Sequence, residues 1–346
     1  MSRLFARRMF NLLIVSQLVA TSFLANASTA QETEKVKPHI DLAFCIDTTG
    51  SMQGEIDNVK AKTKEIVAKL AGGKPTPVIR VGLVAFRDRG DQYVTKVFPF
   101  SEDIDKVVKD ISSLAAQGGG DGPESVNEAL HVAVNDLKWA DDKKTLKMLF
   151  LIGDAAPHKY ANDYDWRTES KTAIGKGIQI NTLACEGLQS YPQEGIECFK
   201  EIAKLADGRF ENLAYRQEVV EKDGKRETIV SSAGKMYRVK GAPGAAGDAW
   251  RDGMDKLTAR GEAEAIAAPA AFPTSAMARR ASGRMAGGGG AMLMSAPGAP
   301  MAGFAAADSY MGGGGGSRRD SNLADVVLQA TKEAAAKKLN VDFKAK

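Results

Sequence analysis

The sequence predicts an α/β fold, a doubly wound and mostly parallel sheet flanked by helices. Three observations carry this. Residues 42–46 form an unbroken apolar run of strand length that ends abruptly in a polar knot, D-T-T-G-S-M. Residues 146–152 form a second, mostly apolar run, interrupted by Lys147, and end in G-D. Strand-like and helix-like segments then alternate along the chain through about six units. A strand buried on both faces reads as continuous apolar sequence in a parallel sheet. Such sheets carry their ligand sites at the carboxyl ends of the strands.

Taken in order, the chain opens with Arg3, Arg7 and Arg8 ahead of an apolar stretch at 9–24, broken by Ser16, Gln17, Thr21 and Ser22. A-N-A at 25–27 supplies small residues for cleavage, with S-T-A at 28–30 as a second option. The stretch is short and polar for a span of roughly 20 residues. Residues 1–27 therefore read as an export signal, and no transmembrane anchor is expected after cleavage. The expected location is the periplasm, the cell surface or the medium. The formal charge of +4 falls to about +1 once those three arginines leave, and nothing in that balance asks for nucleic acid. A length of 346 residues accommodates one large or two small domains.

After a polar tether, the first strand leads into a helix with Ile56, Val59, Ile66, Val67 and Leu70 on one face, stopped by Gly72-Gly73. Residues 78–86 read as a second strand, R-D-R-G-D as a loop, and 93–100 as an alternating strand beside it. Ser101 opens a helix whose first turn is acidic, as the helix dipole favours. G-G-G-D-G-P-E at 118–124 follows, with Pro123 suited to the first turn of the next helix. This loop lacks the Lys-Ser/Thr ending of a phosphate-binding loop and does not directly follow a strand, which argues against a nucleotide. Residues 178–184 give a further strand, Ile196, Phe199, Ile202 and Leu205 a further helix, and 210–213 a last short strand.

Two chemistries are legible at the strand ends. Asp47, Thr49 and Ser51 alternate, so a tight loop eased by Gly50 can turn three oxygen-bearing side chains toward one point. Hard oxygens suit Mg²⁺ or Ca²⁺, although Thr49 or Ser51 could simply cap the following helix. Asp154, ending the later apolar strand, puts a second carboxylate on the same sheet edge. In an exported chain, Cys45 reads as an inert core thiol, whereas Cys185 and Cys198 flank a Gly-, Pro- and Ser-bearing loop and are expected to close it as a disulfide. Three cysteines without CxxC spacing, and only 3 histidines, argue against a zinc site.

D-T-T-G-S-M, V-A-F-R-D-R-G-D, G-G-G-D-G-P-E and L-I-G-D-A-A-P-H, in that order, resemble a von Willebrand factor type A domain over roughly residues 38–213. The resemblance implies a metal-ion-dependent adhesion site. Asp47, Thr49 and Ser51 would form its first loop and Asp154 its third, holding Mg²⁺, or Ca²⁺ or Mn²⁺. Asp121 stands where the family places a second-loop Thr. An added carboxylate would hold the ion more tightly and weaken its pull on an incoming acid. The implied partner is a protein, contributing an acidic side chain to the ion. Arg89-Gly90-Asp91 spells an integrin-binding tripeptide but belongs to the second motif. His158 follows Asp154 closely and, with no nucleophile paired to it, reads as structural.

Domain boundaries follow at 36–215. An extension at 216–266 reads as a small hairpin around Asp223-Gly224 with a helix at 248–266. Residues 267–320 are rich in Ala, Gly, Pro and Met and read as a disordered low-complexity segment, its methionines attributed to composition rather than Cu(I) binding. Residues 321–346 return to helical periodicity and are expected to dock as the last helix of the domain. Three functions compete: a non-enzymatic protein-binding module, a structural envelope protein whose metal only stiffens the fold, and a haloacid-dehalogenase-type phosphohydrolase. The last needs an Asp two residues past the nucleophile, where Thr49 stands, and an acid four past Asp154, where His158 stands.

Overall fold

The strand that ends in the polar knot, β1 (His39–Asp47), is buried along all but its first residue. Its side chains alternate between two cores, with Ile40, Leu42, Phe44 and Ile46 on one face of the sheet and Ala43 and Cys45 on the other. The structure is a computed structural model that describes residues 37–220, 224, 226–240, 250, 254–266 and 320–344. The export signal expected at 1–27 and all but Asp320 of the segment 267–320 lie outside the described residues.

Around β1 the sheet adds β2 (Val78–Phe86), β3 (Thr95–Ser101), β4 (Leu146–Gly153), β5 (Ile178–Ala184) and β6 (Phe210–Asn212) in the order β3-β2-β1-β4-β5-β6. All neighbours run parallel except the edge strand β3, which is antiparallel to β2. The expected mixed, mostly parallel α/β sheet is the one observed. Helices α1 (Gln53–Ala71) and α2 (Ile104–Ser112) cover the first face; α3 (Val126–Asn135), α4 (Trp166–Gly175) and α5 (Cys198–Leu205) cover the second. At the far end of β1, Asp41 is buried and gripped by Arg80 through two bonds of 2.8 and 2.6 Å.

Past residue 213 the expected hairpin is present as two antiparallel neighbours within a larger sheet. Strands β7 (Ala214–Val220), β8 (Arg226–Ser232) and β9 (Lys235–Val239) form an antiparallel meander. Two further strands extend it: β10 (Ala263–Ile266) beside β9 and β11 (Asp320–Ser321) beside β7. The helix expected at 248–266 is confined, among the described residues, to α6 (Met254–Ala259), after which Gly261 turns the chain at φ +71°. Trp250, Met254 and Leu257 pack with Val230, Tyr237 and Val239 as a small separate core.

Helix α7 (Leu323–Leu339) lies on the first face beside α1, and Leu323, Val327 and Leu328 join the core built on β1. Asn58 of α1 donates to Ser321 Oγ at 3.1 Å, and Asn322 Oδ1 accepts from Ala214 N at 2.9 Å. A side chain on Gly73 would strike Val341 and Phe343, so the glycine ending α1 is what lets the C-terminal tail close down there.

The expected Cys185–Cys198 disulfide is not formed, and both residues are free and buried. Cys185 packs in the core of the first face and Cys198 in that of the second, so the sheet stands between the two thiols. Burial pushes the Cys198 thiol up to about 12 and the Cys185 thiol well above its ordinary value. Cys45, also free, is the buried core thiol expected.

Candidate metal centre

Three loops leave the carboxyl edge of the sheet after β1, β2 and β4, and the glycine-rich loop before α3 is laced between them. Parallel register brings Asp47 and Asp154 to the same place: Ile46 pairs with Ile152, and Asp47 and Asp154 follow within two residues. Asp47 is 1% exposed and Asp154 3%. Thr49, fully buried, donates its backbone N–H (2.8 Å) and its hydroxyl (2.6 Å) to Asp47 Oδ1. With its proton committed to Asp47, the Thr49 hydroxyl has only lone pairs to offer anything else. Ser51 sits two residues on, half-buried, in the short turn Gly50–Met52 that leads into α1.

The glycine loop closes over this turn. Gly50 N donates to Gly118 O at 3.2 Å and Gln117 N to Thr48 O at 3.1 Å. Gly119 has φ +74°, and a Cβ on it would lie 2.7 Å from both Thr49 Cβ and Glu124 Oε1. The loop therefore passes where no side chain fits, and it brings a fully buried carboxylate, Glu124, up to Thr49. Glu124 N donates to Ala156 O (2.9 Å), and Glu124 O accepts from His158 N (2.8 Å), which ties the glycine loop to the loop after β4.

The R-D-R-G-D loop is bound in as well. Asp91 Oδ2 accepts from Asp88 N (3.1 Å) and Gly119 N (3.0 Å), and a Cβ on Gly118 would fall on the Asp91 carboxylate. Arg89 pairs with Asp163 (2.9 Å) and Glu128 (3.4 Å) and lies over the Tyr160 ring at 4.2 Å. Arg89 and Asp91 thus both serve the loop's own architecture.

Asp121 is not brought together with Asp47 and Asp154. Its exposed carboxylate faces the loop after β4, with Oδ2 3.2 Å from His158 Nε2. Asp88, Asp121 and His158 each offer a donor atom within 4.8 Å of the others, and are the one such cluster of three or more His, Cys, Asp or Glu among the described residues. This cluster could hold a metal ion. Asp88 is buried and receives Ser125 Oγ (2.9 Å) and Tyr160 OH (2.6 Å). Burial and the adjacent Asp88 carboxylate raise the Tyr160 phenol above its ordinary value, keeping it a donor.

The sequence pointed to Asp47, Thr49, Ser51 and Asp154, all at this edge. It missed Glu124, quoted in the glycine motif yet given no role, and Asp88, hidden within R-D-R-G-D. Helix spacing placed Pro123 and Glu124 at a helix start, where an acid commonly serves the dipole. Only the fold shows that Glu124 is buried against Thr49 instead.

A family model described as the von Willebrand factor A domain matches residues 41–214. Human von Willebrand factor A domain-containing protein 7 is 34% identical over 122 residues, 35% of this chain and 12% of that protein. An ariadne-like RING finger protein of Acanthamoeba polyphaga mimivirus is 31% identical over 161 residues, 44% of this chain and 15% of that protein. This chain thus spans under a fifth of either relative's length. Among solved structures, the pilus adhesin SpaC of Lactobacillus rhamnosus aligns with TM-score 0.40 and 15% identity, over 52% of this chain and 28% of that one.

Proposed function

Given that the chain belongs to the von Willebrand factor A domain family, we propose that it is an extracytoplasmic, non-enzymatic protein-binding module that grips its partner through a divalent cation. The cation would be held by Asp47, Thr49, Ser51 and Asp154, with Glu124 beside them. The observation that carries this reading is the Thr49 hydroxyl bound to Asp47 Oδ1 at 2.6 Å, on an edge that also buries Asp154. The donor set is oxygen throughout, which fits Mg²⁺ and also suits Ca²⁺ or Mn²⁺. Gathering carboxylates on one buried edge costs like-charge repulsion that a divalent cation offsets.

When bound, the ion would supply a Lewis-acidic positive charge. The chain's own residues do the rest. Thr49 turns its lone pairs away from Asp47, and the glycine loop excludes bulk from above the first turn. With Asp121 turned to His158, the carboxylates near the ion would be Asp47, Asp154 and Glu124, and the positive charge they leave would attract an acidic side chain of the partner. No described helix is long and apolar enough to cross a membrane.

Calorimetric titration of the purified protein with Mg²⁺ should give one site, and Asp47→Ala should abolish it in a variant that a cooperative melt in EDTA shows to be folded. An Asp47→Ala variant that binds Mg²⁺ normally defeats the assignment. Partner capture from an extracytoplasmic fraction should then be lost in EDTA. Capture that survives chelation would favour the structural-metal reading.

A further inference from the structure

We propose that Asp88, Asp121 and His158 form a second divalent-cation site, selective for a first-row transition ion such as Zn²⁺ over Mg²⁺ or Ca²⁺. It uses none of the residues of the first site. The three donors come from three separate segments: the loop after β2, the glycine loop and the loop after β4. Their donor atoms lie within 4.8 Å of one another. His158 Nε2 and Asp121 Oδ2 are 3.2 Å apart. Two donors sharing one ion with bonds of about 2.0–2.1 Å at a tetrahedral angle stand about 3.3 Å apart. Asp121 is the exposed member, so rotation of its carboxylate can close the set around an ion without disturbing the fold.

The surroundings are built as ligand supports are. Asp88 is buried and fixed by Ser125 Oγ at 2.9 Å and Tyr160 OH at 2.6 Å, each bond leaving its oxygens further lone pairs. His158 is stacked on the Tyr160 ring at 3.9 Å with an interplanar angle of 5°. One tyrosine therefore sets both a carboxylate and the imidazole plane. Arg89 holds the other side of this assembly over the tyrosine, its charge met by Asp163 and Glu128 rather than by Asp88. His158 Nδ1 is buried without a hydrogen-bond partner. Ligation through Nε2 requires the neutral ring to carry its proton on Nδ1, and the ion would then take the place of the direct Nε2–Asp121 contact.

The donor chemistry selects the ion. Imidazole suits Zn²⁺, Cu²⁺, Fe²⁺ and Ni²⁺, whereas Mg²⁺ and Ca²⁺ favour sites made wholly of oxygen. The cysteine and histidine content of the sequence argues against a zinc site; the second site departs from that expectation, because one histidine and two carboxylates from separate loops meet without any thiolate. Three protein donors leave at least one position open on a tetrahedral ion.

The test is Co²⁺ and Zn²⁺ titration of the full-length protein with Mg²⁺ saturating, read by the visible absorption of bound Co²⁺ and by its displacement with Zn²⁺. One Co²⁺ per chain is expected. His158→Ala and Asp88→Asn should weaken it about tenfold or more, and Tyr160→Phe, acting through Asp88, about tenfold. Asp47→Ala should leave it intact. Melting curves in EDTA establish that each variant is folded, with His158→Asn as the milder replacement if Ala is not. Unchanged Co²⁺ affinity and spectrum in folded His158 and Asp88 variants would overturn the proposal. So would loss of Co²⁺ binding in Asp47→Ala alone, which would place the ion at the first loop.

Discussion

Glu55 stands in the first turn of α1, four residues beyond Ser51, and is buried. Burial pushes its carboxyl up to about 7; the polar groups of Tyr215 and Asn58 pull the other way, and Asp154 and Glu186 push it further up. The folded chain thus holds this proton more tightly than the unfolded chain, whose glutamate keeps the ordinary value near 4.5. The stabilisation is complete below the unfolded value, declines as pH rises, and is gone above about 7, where a buried charge remains. Glu55→Gln should therefore gain stability relative to the native chain on going from about pH 5 to about pH 8, by up to about 2–3 kcal/mol. Denaturant midpoints in EDTA at the two pH values measure it, and parallel profiles for the two proteins would refute it. Single residues of this kind escape sequence reading. Glu55 looks like any acid opening a helix, Glu124 like any acid near a Pro, and Asp88 like part of a charged loop. Each takes its role from neighbours more than thirty residues away, such as Thr49 for Glu124 and Ser125 and Tyr160 for Asp88.

Elements tell the opposite story where their signal is local. The central strands β1, β2 and β4 were legible because each is a long, mostly apolar run. The helices were legible from their periodicity and stops, such as Gly72 after α1, except α4 (Trp166–Gly175), which was not read from the sequence. Of the second sheet only the hairpin of β7 and β8 was legible, because β10 and β11 are four and two residues long and gain their strand character from pairing with distant partners. Nor did the cysteines announce that they sit on opposite faces; sequence spacing says nothing of the sheet between them. Helix α7 carries a prediction of its own. Leu323, Val327 and Leu328 are buried in the core of the first face, at roughly 1.5–3 kcal/mol each. A chain ending at Ser321 should lose several kcal/mol and bind a hydrophobic dye at the exposed face. A melting temperature equal to that of the full chain would show that α7 contributes nothing.

At the scale of the whole molecule, the described chain leaves the second sheet at β10 and returns at β11, and these are its two outer strands. Replacing residues 267–319 thus requires a connection across four strand spacings, at least about 19 Å. A linker of about ten flexible residues reaches that far. Closing the longer natural connection costs little more, since the entropic term grows only logarithmically. Such a replacement should leave the melting temperature and Mg²⁺ binding nearly unchanged, whereas direct fusion of Ile266 to Asp320 should disrupt the sheet.

The same arrangement has a consequence for a chain cut by a protease. A single cleavage anywhere within 267–319 yields two polypeptides. The short one still has β11 paired to β7, Asn322 bonded to Ala214, and the apolar side of α7 seated beside α1. Gel electrophoresis under denaturing conditions would report a broken protein while size exclusion reported an intact one. Chemically, the C-terminal piece would then be a peptide ligand of the remainder. It could be washed out by denaturant, supplied again from a synthesiser, and exchanged for a labelled copy.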